Sequence, residues 1–219
     1  MTDVQRVQVA PERLERWLAG FARRHPQPEP VVTPDAVELV SPDGARAWIE
    51  TPWGTTSGDD PLADLIATAT RPRRLGALLV RRNSHAIGIF DGAELIRHRV
   101  GRHYVQGRTK AGGWSQQRYA RRRGNQAERA FGRAVQDAAE ILVPVAGTLE
   151  AMILGGDGQA VRTVLADPAL AALGPVVARH QHSVLGVPDP NLRVLRDSLP
   201  TFRAVTIRLN AEARGGAEN

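Results

Sequence analysis

The chain has 219 residues, a formal net charge of +6 and no cysteine, which excludes disulfides and thiolate metal sites and suits a reducing compartment. No apolar run approaches the ~20 residues of a membrane span, and the start, MTDVQRVQVAPERLERW, has no apolar core of the signal-peptide kind. The expectation is a cytoplasmic protein of one ordinary domain, or one domain and a small appendage, with an anionic partner. A bias of 28 arginines to one lysine weakens the global charge as an argument, so the clustering of charge matters more.

In chain order, Pro11 to Arg23 predicts an amphipathic helix, with Leu14, Trp17, Leu18 and Phe21 on one face. The prolines of His25 to Pro30 end it. Short strands are expected next, around a turn at Pro42, Asp43 and Gly44. After a polar stretch from Thr51, Asp60-Pro61 starts a second helix with a stripe of Leu62, Leu65, Ile66 and Ala69. The basic RPRR at Arg71 to Arg74 marks the boundary between residues 1–74, a small α+β portion, and the larger remainder of the chain.

From Leu75 the pattern becomes a meander: ALLVRR, HAIGIF and AELIRHRV, separated by Asn83-Ser84 and Asp91-Gly92. Asp-Gly between apolar runs is a hairpin signal, because its central positions tolerate positive φ. Gly101 to Val105 extends the sheet in this reading. Ser115 to Val143 predicts one long helix, with Ala127, Ala130, Phe131, Ala134, Val135, Ala138, Ile141 and Leu142 in its apolar stripe and a stop before Pro144. LEAMILGGDGQAVRTVLAD reads as strand, glycine turn and helix; short helices are expected at 168–173 and 189–197. Phe202 to Leu209 alternates like a strand closing a portion of residues 75–210, and 211–219 reads as a frayed tail.

Two glycine and histidine features invite functional readings and fit structural ones better. Gly155 to Gly158 lacks both the Lys-Ser/Thr ending of a P-loop and dinucleotide-fingerprint spacing, so a structural turn is expected. His180 and His182 could share one strand face, but no HExxH and no cysteine accompany them; no metal or cofactor is expected.

The stretch that carries chemistry is His103 to Arg123, HYVQGRTKAGGWSQQRYARRR. Between Leu95 and Ala127 there is no Asp or Glu, while nine residues are Arg or Lys. A block of one sign faces a polyanion well, because each cation set near a phosphate releases condensed counterions. Trp114 suits stacking on a base or ribose, or alternatively a hydrophobic hinge. The arginines of the helix start read either as phosphate contacts or as a solvated face.

Gly112, Gly113, Trp114 and Ser115 running into Arg118, Tyr119, Ala120, Arg121 and Arg123 resemble the catalytic loop of eukaryotic and archaeal class I release factors. There a GGQ tripeptide precedes a serine and a helix with an RFAR-like start. Here Trp114 takes the third position and the glutamines come later, as Gln116 and Gln117. That displacement resembles the release-factor-like peptidyl-tRNA hydrolases of the Vms/ANKZF type, and among them an actinobacterial branch with GGWSQQ-like loops.

The resemblance implies an α/β fold: a mixed sheet with packed helices, like the release-factor middle domain (RNase H-like). It implies hydrolysis of the peptidyl-tRNA ester on stalled, split large subunits. Gln116 is then the first choice, and Gln117 the second, to position the water, while Gly112 and Gly113 let backbone enter a crowded pocket. Arg108, Lys110, Trp114, Arg118, Arg121, Arg122 and Arg123 would meet ribosomal RNA or the tRNA acceptor end. Fewer than 75 residues precede the matching region, which speaks against stop-codon decoding; a monomer without membrane attachment is expected. The rival reading is a ribosome-binding module that keeps the basic helix and lacks the chemistry.

Overall fold

The structure, a computed structural model, describes residues 4–54, 58–102, 131–179 and 184–214. It is of mixed α/β type and divides into two compact units. One comprises Met1–Arg71 with Pro200–Asn219, the other Pro72–Leu199.

The first unit is built on a five-stranded antiparallel sheet in the order β1 (Gln5–Val9), β9 (Val205–Leu209), β4 (Arg46–Glu50), β3 (Val37–Val40), β2 (Glu29–Val32). Helix α1 (Leu14–Arg24) buries Leu14, Leu18 and Phe21 against it, with Trp17 stacked on Phe21 at 5.5 Å. Helix α2 (Pro61–Thr70) starts as expected: the Asp60 carboxylate accepts the N–H groups of Leu62 and Ala63, satisfying two of the helix's orphan donors. Pro30 is tolerated in β2 because β2 is an edge strand, where a missing N–H breaks no inner ladder. Alternation sends Ala47, Ile49, Val205 and Ile207 into the core. It sends Trp48, Glu50 and Arg208 to the opposite, half-exposed face, where Arg208 pairs with Glu50 at 2.7 Å and lies over the Trp48 ring.

After α1 the chain turns at His25, a buried residue whose Nδ1 lies 2.9 Å from Asp43 Oδ2 in the β3–β4 turn. That hydrogen bond, together with the Ala45 N–H, holds the Asp43 carboxyl below its usual value of 3.8. Gly44 in the same turn takes φ +86.

The second unit contains a four-stranded mixed sheet, β7 (Glu94–Arg102), β6 (Ser84–Asp91), β5 (Arg74–Arg81), β8 (Ala151–Gly156). The first three form the expected antiparallel meander, and β8 joins β5 in parallel. The hairpin at Asp91-Gly92 sits one residue later than its sequence suggests. Asp91 pairs with Glu94, so the central positions are Gly92 and Ala93, with only Gly92 at positive φ (+58). A turn with glycine first needs just one such residue, which accommodates Ala93. Helix α3, described over residues 131–142, buries Ala134, Ala138, Ile141 and Leu142 against the sheet. The chain then passes into a 3-10 turn, Val143–Thr148, at Pro144. Helices α4 (Gly158–Leu165) and α5 (Gly174–Arg179) come after β8, and α6 runs over Leu192–Arg203.

Two expectations change at the C-terminus. The strand Val205–Leu209 does not close the second unit's sheet; it lies between β1 and β4 in the first unit's sheet. The expected tail begins with a helical turn, α7 (Ala211–Arg214), whose Ala213 is buried, because Asn210 Oδ1 caps it by accepting the Ala213 N–H. Strand β1 has an alternating pattern too, but nothing in its five residues marks its partner.

Candidate functional site

The residues singled out from the sequence as catalytic, Gly112, Gly113, Gln116 and Gln117, lie outside the described residues. So do the RNA-contact candidates Arg108, Lys110, Trp114, Arg118, Arg121, Arg122 and Arg123, the first half of the expected long helix, the Gly101 to Val105 extension beyond Arg102, and His180 and His182. The described residues supply the frame of that segment: β7, which leads into it, and α3, which comes after it.

The two are tied together by a polar network centred on α3. Asp137 Oδ2 accepts a hydrogen bond from His85 Nε2 of β6 at 2.7 Å. Since a carboxylate only accepts, Nε2 carries the proton. Asp137 Oδ1 accepts from Arg99 of β7 at 3.4 Å, and the other terminal nitrogen of Arg99 lies 2.9 Å from Glu140. His85 is 1% exposed, so its bond is shielded, while Arg99 and Glu140 are open to water. The His85–Asp137 bond is therefore worth more than the outer ion pair.

Register explains how three separate elements meet. His85 is paired with Gly101, and Ile87 with Arg99, so these side chains share the sheet face that α3 covers. At Gly101 the His85 ring occupies the space a Cβ would need. A side chain there would displace the ring from Asp137.

His85, Asp137 and Glu140 escaped the sequence reading. The available signal was a lone histidine at the head of the otherwise apolar HAIGIF, a polar group that must find a partner once buried. Its partner, 52 residues away, could not be read from that signal.

The electrostatics of β7 fit the acid-free block. Arg99 is paired with carboxylates, whereas Arg97 and Arg102 have none within 4 Å among the described residues. At the end of β8, Gly155 to Gly158 form the expected structural turn. Gly156 has φ +104, and a Cβ on it would collide with the Val80 carbonyl. Gly156 N–H donates to Leu185 O, Asp157 N–H to Val80 O, and the Asp157 carboxylate caps α4 by accepting the Ala160 N–H. These donors are occupied within the fold.

The sequence pattern of the Actinobacteria/chloroflexi VLRF1 release factor family matches residues 73–208, which include β7, α3 and the whole GGWSQQRYARRR stretch. The chain belongs to this family. It is also 34% identical over 88 residues to peptide chain release factor subunit 1 of Aeropyrum pernix, a match covering 39% of this chain and 24% of the relative. The chain thus spans about a quarter of that curated relative's length. Among solved structures, archaeal translation termination factor aRF1 is similar at 17% identity and a TM-score of 0.45, over 97% of this chain and 66% of that one. An archaeal protein is similar at 18% and 0.42, over 80% and 51%. Among the described residues no single helix is long and apolar enough to cross a membrane.

Proposed function

We propose that this protein hydrolyses peptidyl-tRNA, releasing nascent chains from stalled ribosomes in the cytoplasm, with the split large subunit as its substrate carrier. The observation that carries the reading is the family match, which spans a stretch where Gly-Gly, a glutamine pair and the arginine-rich sequence RYARRR adjoin without an acidic residue. The ester of peptidyl-tRNA is activated enough that release needs a positioned water and stabilisation of the developing oxyanion. Glutamine has no useful pKa and is no general base. Gln116, with Gln117 as the second choice, instead orients the water, and backbone N–H groups freed by Gly112 and Gly113 stabilise the oxyanion. Arg108, Lys110, Arg118, Arg121, Arg122 and Arg123 contact phosphates of ribosomal RNA or of the acceptor end, and Trp114 stacks beside them. The protein works as a monomer and needs no cofactor in this reading.

Trp114 at the third position of the Gly-Gly motif favours one other reading, a ribosome-binding module without chemistry. One experiment separates the two: purified large subunits bearing peptidyl-tRNA are incubated with the protein, and free peptide is measured over time. Release above the no-protein control is expected. Binding to the subunit without release would leave only the binding module.

A further inference from the structure

The polar network of His85, Asp137 and Arg99 stands where two elements border the proposed catalytic segment. Arg102 ends β7, and Phe131 is the first described residue of α3. The chain between them carries Gly112, Gly113, Gln116 and Gln117. Any change in how β7 and α3 lie against each other alters the separation and direction of the two points from which that chain departs.

Apolar packing fixes this alignment weakly. β7 is an edge strand, and none of its nine residues is buried. On α3 the buried side chains nearest the segment are the methyl groups of Ala134 and Ala138, with Phe131 and Val135 only partly buried. Methyl groups make shallow ridges, so they resist sliding of a helix less than long side chains do. The polar bonds are directional and supply the register that the methyl groups leave loose. His85 Nε2 donates to Asp137 Oδ2 at 2.7 Å and ties α3 to β6. Arg99 reaches Asp137 Oδ1 at 3.4 Å and Glu140 at 2.9 Å, tying α3 to β7. Gly101, paired with His85 one residue before the end of β7, leaves the room that the ring occupies.

We infer that His85 and Asp137 are positioning residues for peptide release, holding β7 and α3 in the alignment from which the catalytic segment is presented. The inference rests on the reading of this protein as a peptidyl-tRNA hydrolase. Both residues act through the two elements and not by touching substrate. Release is sensitive to such an effect, since a misplacement of about 1 Å caused far from the chemistry can cost on the order of a hundredfold in rate.

The test is single-turnover release from purified large subunits bearing peptidyl-tRNA. The full-length protein is saturating, and the temperature is one at which circular dichroism shows every variant folded. Asp137→Ala should lower the saturated rate by about tenfold or more, while Kd for the subunit stays within about twofold of wild type. Asp137→Asn, whose amide oxygen still accepts the His85 N–H, should recover most of the rate. Gly101→Ala removes no polar group and only displaces the ring; it should reproduce the loss. Arg99→Met cuts the link to β7 alone and should lower the rate several-fold. Arg99 is 51% exposed, a position where folding tolerates change, so this variant serves if Asp137→Ala does not fold. A role in stability alone would lower melting temperatures and leave the saturated rates unchanged. That result overturns the inference, as does a loss confined to Kd. Wild type is assayed first: no release from it overturns the hydrolase reading and the positioning role with it. Equal release by wild type and variants overturns the positioning role alone.

Discussion

Single residues divide into those that would do chemistry and those that hold the frame. If Gln116 orients the water, Gln116→Ala should cut single-turnover release at least a hundredfold, equivalent to about 2.7 kcal/mol of barrier. Subunit binding and melting temperature should stay near wild type. Gln117→Ala is the matched comparison, and a reversal of the two results would move the role to Gln117. In the frame, Asp137→Ala removes the acceptor of a buried His85 N–H, a loss of roughly 1–3 kcal/mol. Glu140→Ala touches only the exposed end of the network and should cost under about 1 kcal/mol. Chemical denaturation of the two variants checks the ranking; equal losses would mean that the network is not centred on the buried bond. Asp43 gives a pH dependence. Its folded pKa is depressed, so its contribution is present above the unfolded value and is lost as pH falls through the folded one, below 3.8. Asp43→Asn should therefore be less stable than wild type at neutral pH, with the difference in urea midpoint shrinking below that pH. A gap that persists in acid would sever the His25–Asp43 pair from acid stability.

Among elements, those with a local signature were legible. The Leu14, Leu18 and Phe21 stripe of α1, the Asp60 cap of α2 and the glycine turn after β8 appear where the sequence puts them, and the meander of β5 to β7 appears with both turns one residue off, at Arg82-Asn83 instead of Asn83-Ser84 and at Gly92-Ala93 instead of Asp91-Gly92. Each rests on spacing or turn chemistry within a dozen residues. Of the α3 stripe, Ala134, Ala138, Ile141 and Leu142 are buried, Phe131 and Val135 are partly buried, and Ala127 and Ala130 lie outside the described residues; the helix gives way at Pro144. Its arginine-rich lead-in supports an element-scale prediction. Replacing Arg118, Arg121, Arg122 and Arg123 together by Ala should weaken subunit binding and flatten its salt dependence, by about one slope unit per lost phosphate contact. An unchanged slope, read in the same titration, would make those arginines a solvated face.

For the whole molecule the decisive feature is β9, which pairs with β1 and β4 although nearly the entire chain separates it from β1. Removing residues from Pro200 onward should leave β1 and β4 with open edges and unfold the first unit, with aggregation as the visible result. Loss of the near-ultraviolet tryptophan signal, to which Trp17 and Trp48 of this unit contribute, would report it, and a soluble truncated protein that keeps this signal would contradict the pairing's importance. The sequence by itself determined the helix faces, the hairpins, the basic block and the motif that carries the family, because each is a pattern among neighbours. Tertiary structure alone decided that β9 belongs to the first unit and that His85, Arg99 and Asp137 meet. Those arrangements join residues from separate elements, and strand pairing and burial select them by the register of the whole sheet, which no local stretch encodes.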